Sequence, residues 1–344
     1  MRKRSESTFE HKTVLVASVF VGAALLLLGL RRVPDILLVT FAGVMLAVFL
    51  DRLSRIVSAR LPLSRRRSLL LVVLALMGIG IGASLLSAPA VIDDLRGILD
   101  SLPQMIASLE AKLRELPLGE QAVSMLSPAG ATRTVGRSLE SIATLFAYPI
   151  LILFVGIYVA LDPRLHWNGL MHLVPPARRE KTVEVLVDIG ENLWWWILGR
   201  LFSMAAVGLA TGLGLFFLGV PAAGALGLIA GLLDFIPNVG PILAFLPALL
   251  LSAGEGGLSK ALQVSVLYLS VQLIESTLLT PNIDKRTVEM PPALVILGQA
   301  LMGVLFGALG VLLATPLMVC AMVLVKRIYV EEYIGDEVEA KAAS

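Results

Sequence analysis

The chain has 344 residues, 57% of them apolar and 16% charged, with a mean hydropathy of +0.87. So much hydrocarbon in long uncharged runs excludes a water-soluble enzyme and describes an all-α polytopic membrane protein whose first partner is membrane lipid. The net charge of +2 offers nothing to nucleic acid, and the single cysteine, Cys320 in an apolar run, excludes an intrachain disulfide and any cysteine-based metal site.

A spanning helix needs about 20 apolar residues. Eight hydrophobic segments reach or approach that length: 13–30, 33–50, 68–88, 141–161, 201–220, 221–253, 261–280 and 293–325. The basic start MRKRSESTFEHK resembles the head of a signal peptide. It lacks a small-residue cleavage site and a second apolar run follows closely, so it reads as the flank of an uncleaved first span. The next connection, DRLSRIVSARLPLSRRR, holds six arginines in 17 residues and is expected on the cytoplasmic side. Arg2, Lys3, Arg4 and Lys12 put the N-terminus on that side, and Lys326 and Arg327 put the C-terminus there too.

After the first three spans (1–88), residues 89–140 form an amphipathic extramembrane segment. Val91, Leu95, Ile98, Leu102, Met105, Leu109 and Leu113 recur there at helical spacing. Its acidic balance suits the outer side, and its apolar stripe needs a cover, which together with the glycines between Gly78 and Gly82 leads to the expectation of a homo-oligomer. Residues 141–200 contain the fourth span, ended by Asp162, and then a cytoplasmic amphipathic helix that feeds the fifth. Its apolar face is predicted to run through Val183, Leu186, Val187, Leu193, Trp194 and Ile197, with Trp194, Trp195 and Trp196 at the membrane interface.

The informative part is 201–327, ahead of a cytoplasmic tail over 328–344. The sixth segment runs 33 residues with Asp234 as its one charged group, inside GLLDFIPNVGP. Pro237 removes a backbone donor and disfavours helix at the preceding residue, whereas Pro241 suits the first turn of a new helix, so the pattern is helix, break, helix. Non-helical backbone at membrane depth must be buried in protein or line a watery cavity, and a break therefore implies a site or a hinge. At the end of the first half-helix the dipole and desolvation both oppose a charged Asp234, which suits a proton carrier or a cation ligand. Asn238 either caps the second half-helix or binds a ligand.

The eighth segment, also 33 residues long, repeats the pattern of a glycine, a short apolar run and a proline. The pairs are Gly240 with Pro247 and Gly310 with Pro316, and such internal symmetry occurs in several transporter folds. Both long segments either cross once, strongly tilted, or re-enter as hairpins. Simple crossings place 19 basic residues inside and 9 outside, and hairpins place 20 and 8, so charge does not decide. Between them, Glu275 lies well within the seventh segment with Gln272 one helical turn earlier on the same face.

The run IPNVGP with Pro247 beyond it, then IES-x-LLTPNI-x-K-R at 274–286, then PP-x-LVILG and LFGALGVLLATPL, resembles the autoinducer-2 exporter family, also called PerM-like permeases. The resemblance implies a bacterial inner-membrane transporter, linked in the family to export of a small quorum-sensing signal and to sodium-proton antiport. The expected partners are accordingly a small polar solute, or sodium and protons. Asp234, Asn238, Gln272, Glu275 and Asn282 are the candidate pathway residues, and Pro237, Gly240, Pro241, Gly310 and Pro316 the candidate hinges. One departure stands out: the family often has Gly-Gln entering the fifth span, and this chain has Gly199-Arg200, which makes Arg200 a candidate partner for a carboxylate. His11, His166 and His172 form no metal pattern, GIGIG lies within a span, and no phosphate-binding loop motif is present, so neither a cofactor nor a self-contained ATP-driven pump is expected. A non-transporting scaffold would not need charge beside helix breaks.

Overall fold

The computed structural model describes residues 33–79, 81, 82, 97, 138–279, 281 and 290–334. The expected first span, most of the amphipathic segment over 89–140, Asn282 and most of the tail lie outside the described residues. All regular structure among the described residues is helical. Helix α1 covers Val33–Arg60, α2 residues 65–79, α3 Ser138–Leu161, α4 Pro163–His172, α5 Arg179–Phe217, α6 Ala223–Leu233, α7 Val239–Ile274 and α8 Pro292–Leu324.

Three helices form one block. Ala47 and Leu50 of α1, Leu69 and Val72 of α2 and Ala160 of α3 bury one another. Helices α1 and α3 run the same way, since Tyr148 donates to Asp35 at 3.2 Å and Ala160, farther along α3, packs with Ala47 and Leu50, farther along α1; α2 returns against both. At the end of α3 the chain bends by 87° into α4, with the Asp162 side chain accepting from the Leu165 amide at 3.3 Å. The ends of α1 and α3 and the starts of α2 and α5 thus share one pole of the bundle, which carries Arg52, Arg55, Arg60, Arg65, Arg66, Arg67, Arg164, Arg178 and Arg179.

The amphipathic helix expected before the fifth span and the span itself are one continuous 39-residue helix, α5. Its buried stripe runs through Val185, Leu193, Trp194, Trp196 and Arg200, which corrects the expected face: Val187 is 49% exposed. The reason is which neighbours the helix meets, since Trp194 packs on Phe49 of α1 and Trp196 meets Phe235 edge to face. Helix α6 then folds back along α5, so closely that a Cβ on Gly227 would lie 2.5 Å from the Gly212 Cα.

Each of the two long segments is a hairpin: 221–253 is made of α6, the turn at 234–238 and the first arm of α7, packed through Leu226, Ala248 and Leu251, and 293–325 folds back within α8; the second arm of α7 adds a further reversal. Within α7 the backbone reverses at Gly256 and Gly257, the latter at φ +61°, and the arms close on each other through the Tyr268 hydroxyl donating to the Ala244 carbonyl at 3.2 Å and through Phe245 against Tyr268. Within α8 the reversal is at Gly307, φ +64°, and the arms approach until a Cβ on Gly310 would sit 2.1 Å from the Met302 carbonyl oxygen. Only glycine takes that backbone region freely. Pro316 therefore lies inside a helix, and the fold-back is three residues before the expected Gly310.

By length and composition four helical stretches could cross a membrane, or five with the bent α3–α4 pair, and two of the four, Val239–Leu279 and Pro292–Glu331, contain these fold-backs. The α7 tip lies beside the α5–α6 turn, where Lys260 donates to the Gly219 carbonyl at 2.6 Å. The α8 hairpin instead rises from the arginine-rich pole, to which Arg327 is tied by Asp188 at 2.5 Å. Counting back along both helices from that pair sets Gly307 level with Gly208, so the hairpin stops about 14 Å short of the end of α5 at 1.5 Å per residue. Two hairpins consequently enter from opposite poles: α6 with the first arm of α7 from one, and α8 from the other.

Candidate functional site

The turn 234–238 is the deepest point of the first hairpin. Helix α6 ends as the Asp234 amide donates to Ala230 at 3.0 Å, and α7 starts as the Gly240 amide donates back to Ile236 at 2.9 Å. A proline without a donor and Asn238 at φ +65° make continuation of the helix impossible between these points. Gly240 is needed for a second reason: a Cβ there would lie 1.8 Å from the Leu233 carbonyl oxygen. The loose carbonyls of the turn find protein partners. Phe235 accepts from Arg200 Nε at 3.3 Å and Pro237 from Gln299 Nε2 at 2.9 Å, which is what backbone away from water requires.

Around this turn three charged side chains are buried together. Arg200 of α5 pairs with Asp234 at 3.4 Å and with Glu275, at the end of α7, at 3.3 Å. Asp234 is 0% exposed, Glu275 5% and Arg200 7%. Glu275 is well supplied with donors, accepting from Ser203 at 3.2 Å and from Gln272 at 2.7 Å as well as from Arg200. Asp234 is not: neither of its oxygens accepts a hydrogen bond from a described residue, and Gln299 Oε1 and the terminal nitrogen of Arg200 that is ion-paired with Asp234 likewise make no hydrogen bond.

A guanidinium stays charged at any pH the protein meets, so the carboxylates are the groups that can change state. With both ionised the trio carries one negative charge in excess. One proton, or one monovalent cation, makes it neutral. The chain beyond Glu275 continues in wider helical turns over Glu275–Leu279.

A profile of the AI-2E family transporter matches residues 15–329. The chain belongs to the AI-2E transporter family. Among curated proteins it is 25% identical to the AI-2 transport protein TqsA of Escherichia coli K12, over 89% of each chain. It is 23% identical to the putative transport protein YueF of Bacillus subtilis, over 80% of this chain and 79% of that one. The putative transport protein YrrI of the same organism is 28% identical over 55% of this chain, a match that spans about half (53%) of YrrI. Membership makes the chain a multi-pass transmembrane transporter.

Of the residues singled out from the sequence, Arg200, Asp234, Gln272 and Glu275 are brought together in this AI-2E chain. Asn238 is exposed on the turn and makes no side-chain cap, Pro237 and Pro241 flank it, and Gly310 and Pro316 are buried in the α8 hairpin. Ser203 and Gln299 were not foreseen. Each carried a signal: Ser203 sits one turn beyond Arg200 on the same face, and Gln299 is the one side-chain amide within 293–325. Among the described residues no group of His, Cys, Asp and Glu is arranged to hold a metal ion.

Proposed function

We propose that the protein exports a small polar solute across the bacterial inner membrane, with both termini in the cytoplasm, and that the proton gradient drives it through Asp234 and Glu275. The observation that supports this most is the buried excess of one negative charge at the turn of a broken hairpin, with both Asp234 oxygens lacking a hydrogen-bond donor. An ionisable group in a span costs about 2.5–3.5 kcal/mol on insertion scales, and a structural role would be served as well by a neutral amide. A proton moving on and off the trio switches it between neutral and charged, and thereby changes the cost of keeping the turn against the α8 hairpin. Autoinducer-2 is the solute class suggested by the name of TqsA, and the small furanosyl signal is the first compound to test.

Sodium–proton antiport is the second reading, favoured by the same unpaired Asp234 oxygens, since sodium also balances one negative charge. Arg200 weighs against it, because the guanidinium already stands at 3.3–3.4 Å from both carboxylates, where a bare cation would bind. Purified protein in liposomes under an imposed pH gradient separates the readings. Proton movement dependent on the furanosyl signal supports the export reading, movement dependent on sodium supports antiport, and Asp234→Asn or Glu275→Gln should remove either coupling while the protein still folds. Parental flux in both variants would make the carboxylates structural and the proposal wrong. Absence of flux with any solute or ion would return the scaffold to consideration.

A further inference from the structure

The arginine-rich pole holds three adjoining cavities outside the transport site. One of about 630 Å³ is lined by Arg66 and Arg67 and by Leu70, Leu71 and Leu74. A second of about 260 Å³ adds Arg65 and Arg164 to Arg66, and a third of about 610 Å³ lies between Arg55, Arg65, Arg164 and Trp167. Arg66 joins the first to the second, and Arg65 and Arg164 join the second to the third.

Charge in this corner is not balanced internally. Asp51 pairs with Arg55 at 2.8 Å and with Arg65, and Asp162 is engaged with the Leu165 amide. Arg66, Arg67 and Arg164 have no carboxylate partner among the described residues. Five arginines against two aspartates leave three positive charges in excess. A guanidinium offers forked donors that match phosphate oxygens two at a time.

The corner also carries features suited to the boundary of a bilayer. Helix α3 ends there, α4 turns by 87° and places Trp167, 37% exposed, where indoles favour the boundary between lipid and water. Directly beyond Arg65–Arg67, α2 presents Leu70 and Leu74, each 59% exposed and one turn apart on the same face, with Leu71, 43% exposed, beside them. Arginine heads therefore stand above an apolar track that begins in the same cavity.

We propose that this corner is a binding site for an anionic phospholipid, its phosphate held by Arg65, Arg66 and Arg164 and its acyl chains lying on Leu70, Leu71 and Leu74. A free phosphate meets the arginines equally but leaves the leucine track unused, and a zwitterionic lipid uses the track but leaves the surplus charge. The site rests on the membrane placement of the bundle and on neither the solute nor the coupling ion proposed above. Its position at the contact of α1, α2, α3 and α4 makes the lipid a brace for the three-helix block.

The test is native mass spectrometry of the full chain in detergent, titrated with phosphatidylglycerol, phosphatidylcholine or inorganic phosphate. Phosphatidylglycerol should be retained preferentially. The double variant Arg66→Gln/Arg164→Gln should lose about 30-fold in retention, the equivalent of two charges at a membrane surface. Arg178→Gln, at the same pole outside the cavities, should keep it. Arg66→Lys/Arg164→Lys preserves charge without the fork and should fall between, which also serves if the glutamine pair does not fold. Equal retention of the two lipids, or undiminished retention in the double variant, overturns the proposal. Displacement of phosphatidylglycerol by millimolar inorganic phosphate overturns its lipid part and leaves a phosphate site.

Discussion

Replacing Arg200 by Gln tests whether the buried trio holds the turn in place. The substitution removes two ion pairs and the donor to the Phe235 carbonyl. At separations of 3.3 and 3.4 Å and an effective dielectric constant of about 20, each pair is worth about 5 kcal/mol of Coulomb attraction before desolvation is subtracted. Desolvation offsets much of this, and removing one partner of a buried pair has a net cost of about 3–5 kcal/mol, because the remaining charge is stranded. Here two carboxylates are stranded together. Glu275 keeps Ser203 and Gln272 as donors, whereas Asp234 keeps none, so most of the loss is expected at Asp234. Equilibrium unfolding in mixed micelles should show Arg200→Gln well below the parent. In an Asp234→Asn background the same change should cost at least about 1.5 kcal/mol less, within the usual range for directly interacting groups. A cost of Arg200→Gln below about 1 kcal/mol, or losses that simply add between the two positions, would refute the electrostatic account.

Three further outcomes follow from the fold. In a Cys320→Ser background, single cysteines at Ser64 and Ser259 should label with an impermeant reagent from opposite faces, Ser259 from outside the cell, and labelling of both from one face would break the hairpin topology. Gly227→Ala and Gly240→Ala should each destabilise by about 1–3 kcal/mol, since their new methyl groups meet backbone at 2.5 and 1.8 Å, while Gly224→Ala, with no atom within 4 Å, should be neutral or mildly stabilising in the same unfolding assay. Light scattering in mild detergent should give a mass above the monomer; a monomer in every detergent tried would count against self-association through Gly78, against which nothing in the described chain packs within 4 Å.

Much of the site was legible because membrane burial makes polarity scarce. A lone carboxylate in 33 apolar residues, a proline with no donor to give, and an arginine where the family often has glutamine point to one place without knowledge of the fold. The hairpins were less legible. Gly257 and Gly307 are two of 30 glycines, and neither hydropathy nor charge separates a glycine that reverses the chain from one that lets helices touch. Positive φ is a property of the tertiary path: Gly307 turns because Met302 and Gly310 must meet, a contact that no local pattern encodes. The face of α5 was misjudged for a similar reason. Periodicity marks where apolar residues recur but not which of them meet α1 and α8, and Val187 was left exposed while Val185 and Trp196 were covered.

Gln299 is the one described side chain that ties the two opposed hairpins by a hydrogen bond, from Nε2 to the Pro237 carbonyl at 2.9 Å. The other donor to that carbonyl is the amide of Val239, two residues on at 2.7 Å, in a geometry too tight to be strong. Gln299→Leu keeps the bulk and removes the donor, leaving a part-buried carbonyl poorly served at a cost of about 1 kcal/mol, the low end for an unsatisfied buried group. If the bond persists through transport, the hairpins move as one body around the trio, and its loss should let protons pass without solute: the ratio of solute to protons in liposomes should fall even where the protein remains folded. A purely structural bond would lower stability and leave that ratio at the parental value. Parental stability together with parental coupling would mean that the hairpins are held by packing alone, through Phe235, Met302 and Phe306, and that the charged turn moves independently of α8.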